Sequence, residues 1–317
     1  MKRNILFIGL DYHSYTSKMI LGMEELGYEV TYYSIKPRKL KHRILQTISG
    51  SLYNNFLNKY HKEIVSKEKE NNYDYVFFLQ VHFFTHTNFN VLKLNNNKAK
   101  FVLYNWDSLT THDYSSYING FDKVYTFDKK DAQKLNINYL PLFCIPDFQN
   151  LQQLNKNKNS IYFIGNIVSP DRYLAIQKFK NFCKKEKLNF HFYLKCSPVV
   201  FVRLLTNGYF PSDINFSNIN HNKFIELLTN STTVFDFANH KQVGFTMRFM
   251  ENLCAGKKII TSNKNALNAK FYSADRILYI ENLNFESVKE FVLNDLTNED
   301  LFFSEYYLIN FLKKILN

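Results

Sequence analysis

Short apolar runs separated by stretches of helical spacing recur along almost the whole chain. The first run covers residues 4–10 and stops at Asp11; His13 and Ser14 follow in a polar turn. Met19, Ile20, Met23 and Leu26 then fall on one helix face. Gly27 ends that helix, and the β-branched and aromatic residues 29–35 form a strand, closing a βαβ unit of near-minimal length. Further strands are predicted at 73–80, 101–105, 123–127 and 138–142. Apolar strands of this kind, separated by helices, belong to a parallel sheet covered on both faces.

The pattern breaks between residues 143 and 160. Pro146 and the Gln-, Asn- and Lys-rich residues 150–159 read as an exposed linker. Alternation then restarts, with strands predicted at 161–164, 190–195, 215–217, 233–237, 258–262 and 276–280. Helices are predicted at 173–185, 199–206, 221–229 and 247–255, the last closed by Gly256, and residues 298–316 are helical. The expected organisation is α/β: a Rossmann-like domain over 1–150, a second over 151–300, and a C-terminal helix over 301–317 that packs back on the first. A chain of 317 residues suits two doubly wound parallel-sheet domains of about 150 each. Ligands of such sheets bind at the carboxyl ends of the strands. The two carboxyl edges are expected to face a central cleft.

Composition narrows the class. With 45% hydrophobic and 21% charged residues the chain is globular rather than disordered. Its 31 Phe and 22 Tyr are read as compositional bias and carry no functional weight. No run approaches the ~20 apolar residues of a membrane span; the longest, 75–84, is broken by Gln80 and His82. The opening run is too short for a signal peptide, so a cytoplasmic protein is expected. The cysteines at 144, 183, 196 and 254 form no C-x-x-C pair and read as buried thiols in a reducing compartment.

The net charge of +12 changes the picture more. It attracts polyanions, whether nucleic acid, anionic lipid or phosphorylated small molecules. Basic residues crowd into 36–43, ahead of Ile44, Leu45, Ile48, Leu52 and Phe56. That pattern fits a helix docked on an anionic membrane face, and equally a solvated loop before a core helix. No helix-turn-helix, zinc or RNA-binding signature is present, so nucleic acid is not an expected partner.

The residues after the strands carry the candidate chemistry. A strand ends at Asp236, a polar loop leads to Gly244, and a helix follows with Arg248 and Glu251 on one face. Free N–H groups at such a helix start suit an anion. The planar fork of Arg248 suits phosphate oxygens, and a carboxylate at 251 suits the hydroxyls of a ribose. The same spacing also fits a plain surface ion pair.

This stretch resembles the donor-binding motif of the group 1 glycosyltransferases, a large family of GT-B fold that builds bacterial surface polysaccharides and glycosylates lipids and proteins. Gly244 and Phe245 match its Gly-Phe, Glu251 its second glutamate, and Cys254-Ala255-Gly256 its closing small-residue run. Val243 stands where the family has its first glutamate, the residue that contacts the donor sugar there. Arg248 resembles a divergent branch that includes capsule, lipopolysaccharide and spore-protein glycosyltransferases. Residues 161–172, Ile-Tyr-Phe-Ile-Gly-Asn-Ile-Val-Ser-Pro-Asp-Arg, resemble the opening of the family's second lobe, where a glycine turn and a basic residue approach the donor diphosphate.

The resemblance implies a nucleotide-sugar donor set of Gly165, Asn166, Arg172, Lys195, Asp236, Gly244, Phe245, Thr246, Arg248 and Glu251. It implies a glycan, lipid-linked or protein acceptor, reached at the inner face of a membrane or in solution. No cofactor beyond the nucleotide-sugar co-substrate is expected. No metal is expected either, because arginine and lysine supply the positive charge and no Asp-x-Asp sequence occurs.

Candidate bases are Asp11 and His13 after the first strand, and Asp107 in the Trp106-Asp107 pair. An N-capping Asp11 and a surface His13 are the plain alternatives. His82 and His86 stand four apart with no third ligand and read as non-metal. Rival functions are a nucleotide-sugar epimerase or polyol-phosphate transferase of the same fold, and a non-catalytic scaffold.

Overall fold

A computed structural model of the chain describes residues 3–12, 14–37, 49–149, 151, 159–237, 244–296 and 303–317. His13, Val243, most of the basic stretch and most of the expected linker lie outside the described residues. Contacts divide the chain into two units, Met1–Ile145 with Glu305–Asn317, and Pro146–Ser304.

The first unit contains β1 (Arg3–Gly9), α1 (Tyr15–Glu25), β2 (Tyr28–Ser34), α2 (Gly50–Lys67), β3 (Tyr75–Leu79), α3 (His86–Asn95), β4 (Lys100–Asn105), β5 (Lys123–Thr126), α4 (Lys129–Leu135) and β6 (Asn138–Tyr139). Its six strands pair in parallel in the order β2-β1-β3-β4-β5-β6. β3 is buried at every position, as a central strand covered on both faces must be. Gly27, at φ 88°, takes the left-handed conformation that lets the chain leave α1 and enter β2 directly.

The second unit contains α5 (Pro146–Gln149), β7 (Ser160–Ile167), α6 (Pro170–Lys185), β8 (Asn189–Cys196), α7 (Pro198–Thr206), β9 (Ile214–Asn215), α8 (His221–Thr229), β10 (Thr233–Asp236), α9 (Met247–Cys254), β11 (Lys258–Thr261), β12 (Ile277–Tyr279) and α10 (Val288–Leu293). Its parallel sheet runs β12-β11-β10-β7-β8-β9. Read from its own first strand this is 3-2-1-4-5-6, the Rossmann order, with its switch point between β7 and β10. The first unit runs 2-1-3-4-5-6, with its switch point between β1 and β3. Both sheets are six-stranded and doubly wound.

The last helix, α11 (Leu308–Leu316), belongs to the first unit. Phe311 packs on Tyr104 and Phe143 at 4.7 and 4.4 Å between ring centroids. The Leu312 side chain fills the space beside Gly22, where a Cβ would come within 2.8 Å of it.

Several expected elements shift. The apolar series ending at Leu52 and Phe56 is not the buried face of α2, which instead buries Tyr53, Leu57, His61, Ile64 and Val65. His61 decides that rotation, because its Nε2 bonds the Ile35 carbonyl at 2.7 Å inside the core. β7 continues through Gly165 and Asn166, so these residues form strand and not the predicted turn. The strands expected at 138–142 and 215–217 shrink to two residues each, at the edges of their sheets. The terminal helix begins at Leu308, after a 3-10 turn over Ser304–Tyr306. All four cysteines are buried thiols outside any disulfide, and burial pushes the Cys183 thiol up to about 12.

Candidate functional site

The switch point of the second unit gathers most of the predicted donor residues. β10 delivers Asp236 to its carboxyl end, fully buried. Thr261 donates to its Oδ2 at 3.2 Å, and Thr246 donates to its Oδ1 at 3.3 Å. Thr246 is also the N-cap of α9, its hydroxyl accepting from Phe249 N at 3.1 Å. One threonine therefore ties the strand end to the helix start. Asn263 holds the Gly244 carbonyl at 3.3 Å. Gly256, at φ 68°, closes the helix as its sequence position predicts.

This frame aims Arg248 at the end of β7. Its Nη1 lies 4.0 Å from Asp236 Oδ1, and its guanidinium carbon 5.2 Å from the centre of the Phe163 ring. Arg172, in the first turn of α6, approaches the same ring at 5.7 Å. Ser169 caps that helix by accepting from Arg172 N at 3.3 Å, and Pro170 starts it. Gly165 is what admits Arg248: a Cβ there would meet Phe163 at 2.9 Å and Arg248 Nη2 at 3.2 Å. Next to it, at the rim of the sheet, Asn166 pairs in register with Lys195, whose Nζ donates to Asn218 at 2.5 Å.

Two guanidinium groups thus approach one aromatic ring, and the Asp236 carboxylate feels the charge of both. Burial lowers the Arg172 pKa to about 10, helped by Arg248 and opposed by Asp236. Burial raises Asp236, and both arginines and both threonines pull it back. The buried Nε of Arg172 has no hydrogen-bond partner among the described residues. Such arrangements are costly unless something else completes them.

Glu251, one turn beyond Arg248, is also buried, and its carboxyl makes no hydrogen bond among the described residues. Burial pushes it up to about 8. An isolated buried carboxyl is a frequent mark of a functional site. The Phe245 ring is buried against Phe249 of α9 and against Phe271, at 4.7 and 5.0 Å between ring centroids, so its side chain packs within the unit.

At the carboxyl edge of the first unit, Asp107 follows β4 and accepts from Gln80 Nε2. Gln80 ends β3 in the left-handed conformation, φ 67°, which is uncommon for a residue with a side chain and recurs at functional sites. Asp11, partly exposed, follows β1. Beside it Tyr12 meets Trp106 edge to face at 5.6 Å. His82 stacks on His112 at 3.7 Å, and burial, His112 and Lys36 together push it down to about 3. His86 instead stacks on Tyr117 and contacts Ser116, so the two histidines go to different partners. Among the described residues no three His, Cys, Asp or Glu side chains are grouped to hold a metal ion.

Sequence reasoning missed Gln80, Tyr12, His112 and the role of Phe163. Gln80 left one signal, a polar residue closing a wholly apolar strand. Nothing local marks His112.

No family model matches the chain, and no curated protein matches it. Solved structures do. An alpha-glucosyltransferase in complex with UDP and a 13-mer DNA containing a central A:G mismatch aligns over 99% of this chain and 94% of its own, with a TM-score of 0.63 and 12% identity. A structure described as trehalose-6-phosphate from E. coli bound with UDP-2-fluoro glucose aligns over 99% and 96%, at 0.60 and 10%. The S. aureus MnaA-UDP co-structure aligns over 92% and 86%, at 0.50 and 10%. At these identities the likeness is one of fold, and the fold is GT-B.

Proposed function

We propose that the chain is a glycosyltransferase that takes its sugar from a nucleotide-sugar donor held at the switch point of the second unit. The observation that carries this is the pair Arg172 and Arg248 on the Phe163 ring, with one buried carboxylate to balance two guanidinium groups. A donor diphosphate is the anion that suits them. The start of α9 adds N–H groups near Gly244, and Lys195 adds a further cation at the rim. Glu251, buried without a partner, suits the ribose hydroxyls. The likeness in fold to structures that hold UDP or a UDP-sugar supports the same reading.

In the reaction an acceptor hydroxyl bonds to the anomeric carbon, the bond from that carbon to the diphosphate breaks, and the hydroxyl proton passes to a base. Arg172 and Arg248 stabilise the charge that collects on the departing diphosphate, with no metal required of the protein. The base is sought among Asp11, His13 and Asp107, and Asp107 is favoured by the Gln80 hydrogen bond that orients it. The acceptor is a bacterial surface glycan, a lipid-linked sugar or a protein. The charge of +12 suits an acceptor that bears phosphate or sits on an anionic membrane.

A thermal-shift series with UDP, GDP, CDP, ADP and their sugar conjugates tests the donor site. One nucleotide is expected to stabilise the wild type by about 2.7 kcal/mol at a hundredfold excess over Kd. Arg248→Ala is expected to weaken that nucleotide by about 10- to 100-fold, the worth of a charge-assisted hydrogen bond. A wild-type protein stabilised by none of them would overturn the reading.

A further inference from the structure

The second unit carries an apolar face that its own core does not use. Helix α7 starts from the cap of Ser197, which accepts from Val200 N at 3.3 Å. Its inner side buries Leu204 and rests Val200 and Phe201 on the core. Its outer side presents Val199, 72% exposed, and Val202, 57% exposed, three residues apart. Gly208 then turns the chain at φ 78°, and Phe210 follows at 83% exposed. Phe216, 55% exposed, packs edge to face on Phe201 at 5.3 Å, which anchors the patch to the sheet. Single exposed apolar residues need no explanation, but a group on one helix and the segment after it does.

Charge says what covers it. From the cap of α7 to Lys223, residues 197–223, the sequence holds Arg203 and Lys223 against one acidic residue, Asp213. That carboxylate is already taken by Lys180 at 2.9 Å and Gln177 at 3.0 Å. Arg203 is exposed on α7 beside Val202. Apolar side chains flanked by cations with no free carboxylate complement an anionic bilayer. A second copy fits less well, because a two-fold contact through this face would set the same cations against each other.

We propose that α7 and the segment to Phe216 dock the protein on an anionic lipid surface, with Val199, Val202, Phe210 and Phe216 entering the acyl boundary and Arg203 meeting the headgroups. The docking face stands apart from the transferase reading; that it serves a membrane-held acceptor rests on that reading. Flotation of the full chain with phosphatidylcholine vesicles, with and without phosphatidylglycerol, tests it against the double variant V202D/F210D. Both positions are exposed, so the variant is expected to keep its fold and any nucleotide-induced thermal shift. The expected result is strong binding to the phosphatidylglycerol vesicles that falls at least about tenfold in the variant. Equal binding by wild type and variant, or no binding by either, would overturn the proposal. So would light scattering that shows a wild-type dimer abolished by the same substitutions. Loss of the nucleotide shift in wild type with vesicle binding intact would instead strike the transferase reading alone.

Discussion

The first strand of each unit carries the same tripeptide, Phe7-Ile8-Gly9 in one and Phe163-Ile164-Gly165 in the other, and the two glycines serve different ends. A Cβ at Gly9 would meet Leu79 Cβ at 2.9 Å and the Phe7 ring at 3.0 Å. There the missing side chain lets two central strands close up on aliphatic packing. At Gly165 the neighbour beyond the Phe163 ring is Arg248, a guanidinium delivered by a helix more than 80 residues later in sequence. One architecture thus yields an apolar seam in the first unit and a cationic site in the second. The difference lies in what the strand across the switch point contributes. β3 sends Leu79 and Gln80, whereas β10 sends Asp236 and, through Thr246, the start of α9.

The largest expected effect separates the two units by role. Asp107→Asn keeps an acceptor for Gln80 but removes the base, and is expected to lower kcat for release of the nucleoside diphosphate by about 10²- to 10⁴-fold. Nucleotide affinity, measured by thermal shift, is expected to stay within about twofold, because the residue belongs to the first unit. An unchanged kcat would leave Asp107 as a structural partner of Gln80 alone.

Next comes the pH response of Glu251. Burial lifts its pKa from the ordinary 4.5 to about 8. Between those values the folded chain holds a proton that the unfolded chain has released, so stability falls as pH rises through that window. E251Q has no such proton, and its stability is expected to gain on the wild type by at most about 1.4 kcal/mol per pH unit. Melting curves from pH 5 to pH 8 check this; parallel profiles would mean that the carboxyl is solvated in the folded protein.

The smallest effect sharpens the glycine comparison itself. Gly9→Ala presses against Leu79 close to its backbone, and is expected to cost about 1–3 kcal/mol with no change in nucleotide binding. Gly165→Ala presses against the ends of Phe163 and Arg248, which can move. It is expected to cost less stability but to weaken nucleotide binding about three- to tenfold by displacing the guanidinium. Equal effects on stability and binding in both variants would dissolve the distinction.

The sequence determined the alternation of strands and helices, since apolar runs and helical spacing are local consequences of a sheet covered on both faces. It also determined the caps, because Gly27 and Gly256 are read from their neighbours alone. It singled out Arg172, Arg248 and Glu251 as residues for one ligand, through a motif rather than through geometry. Tertiary structure alone decided which face of α2 turns inward, because the Ile35 carbonyl that fixes His61 comes from another segment. It alone decided that Phe245 is packing, that Asp236 is held by two threonines, and that Arg172 and Arg248 meet on one ring. These facts depend on strand order, and β7 lies beside β10 although 65 residues separate Ile167 from Thr233. A pattern with a period of two or of 3.6 residues carries no record of which strands will be neighbours.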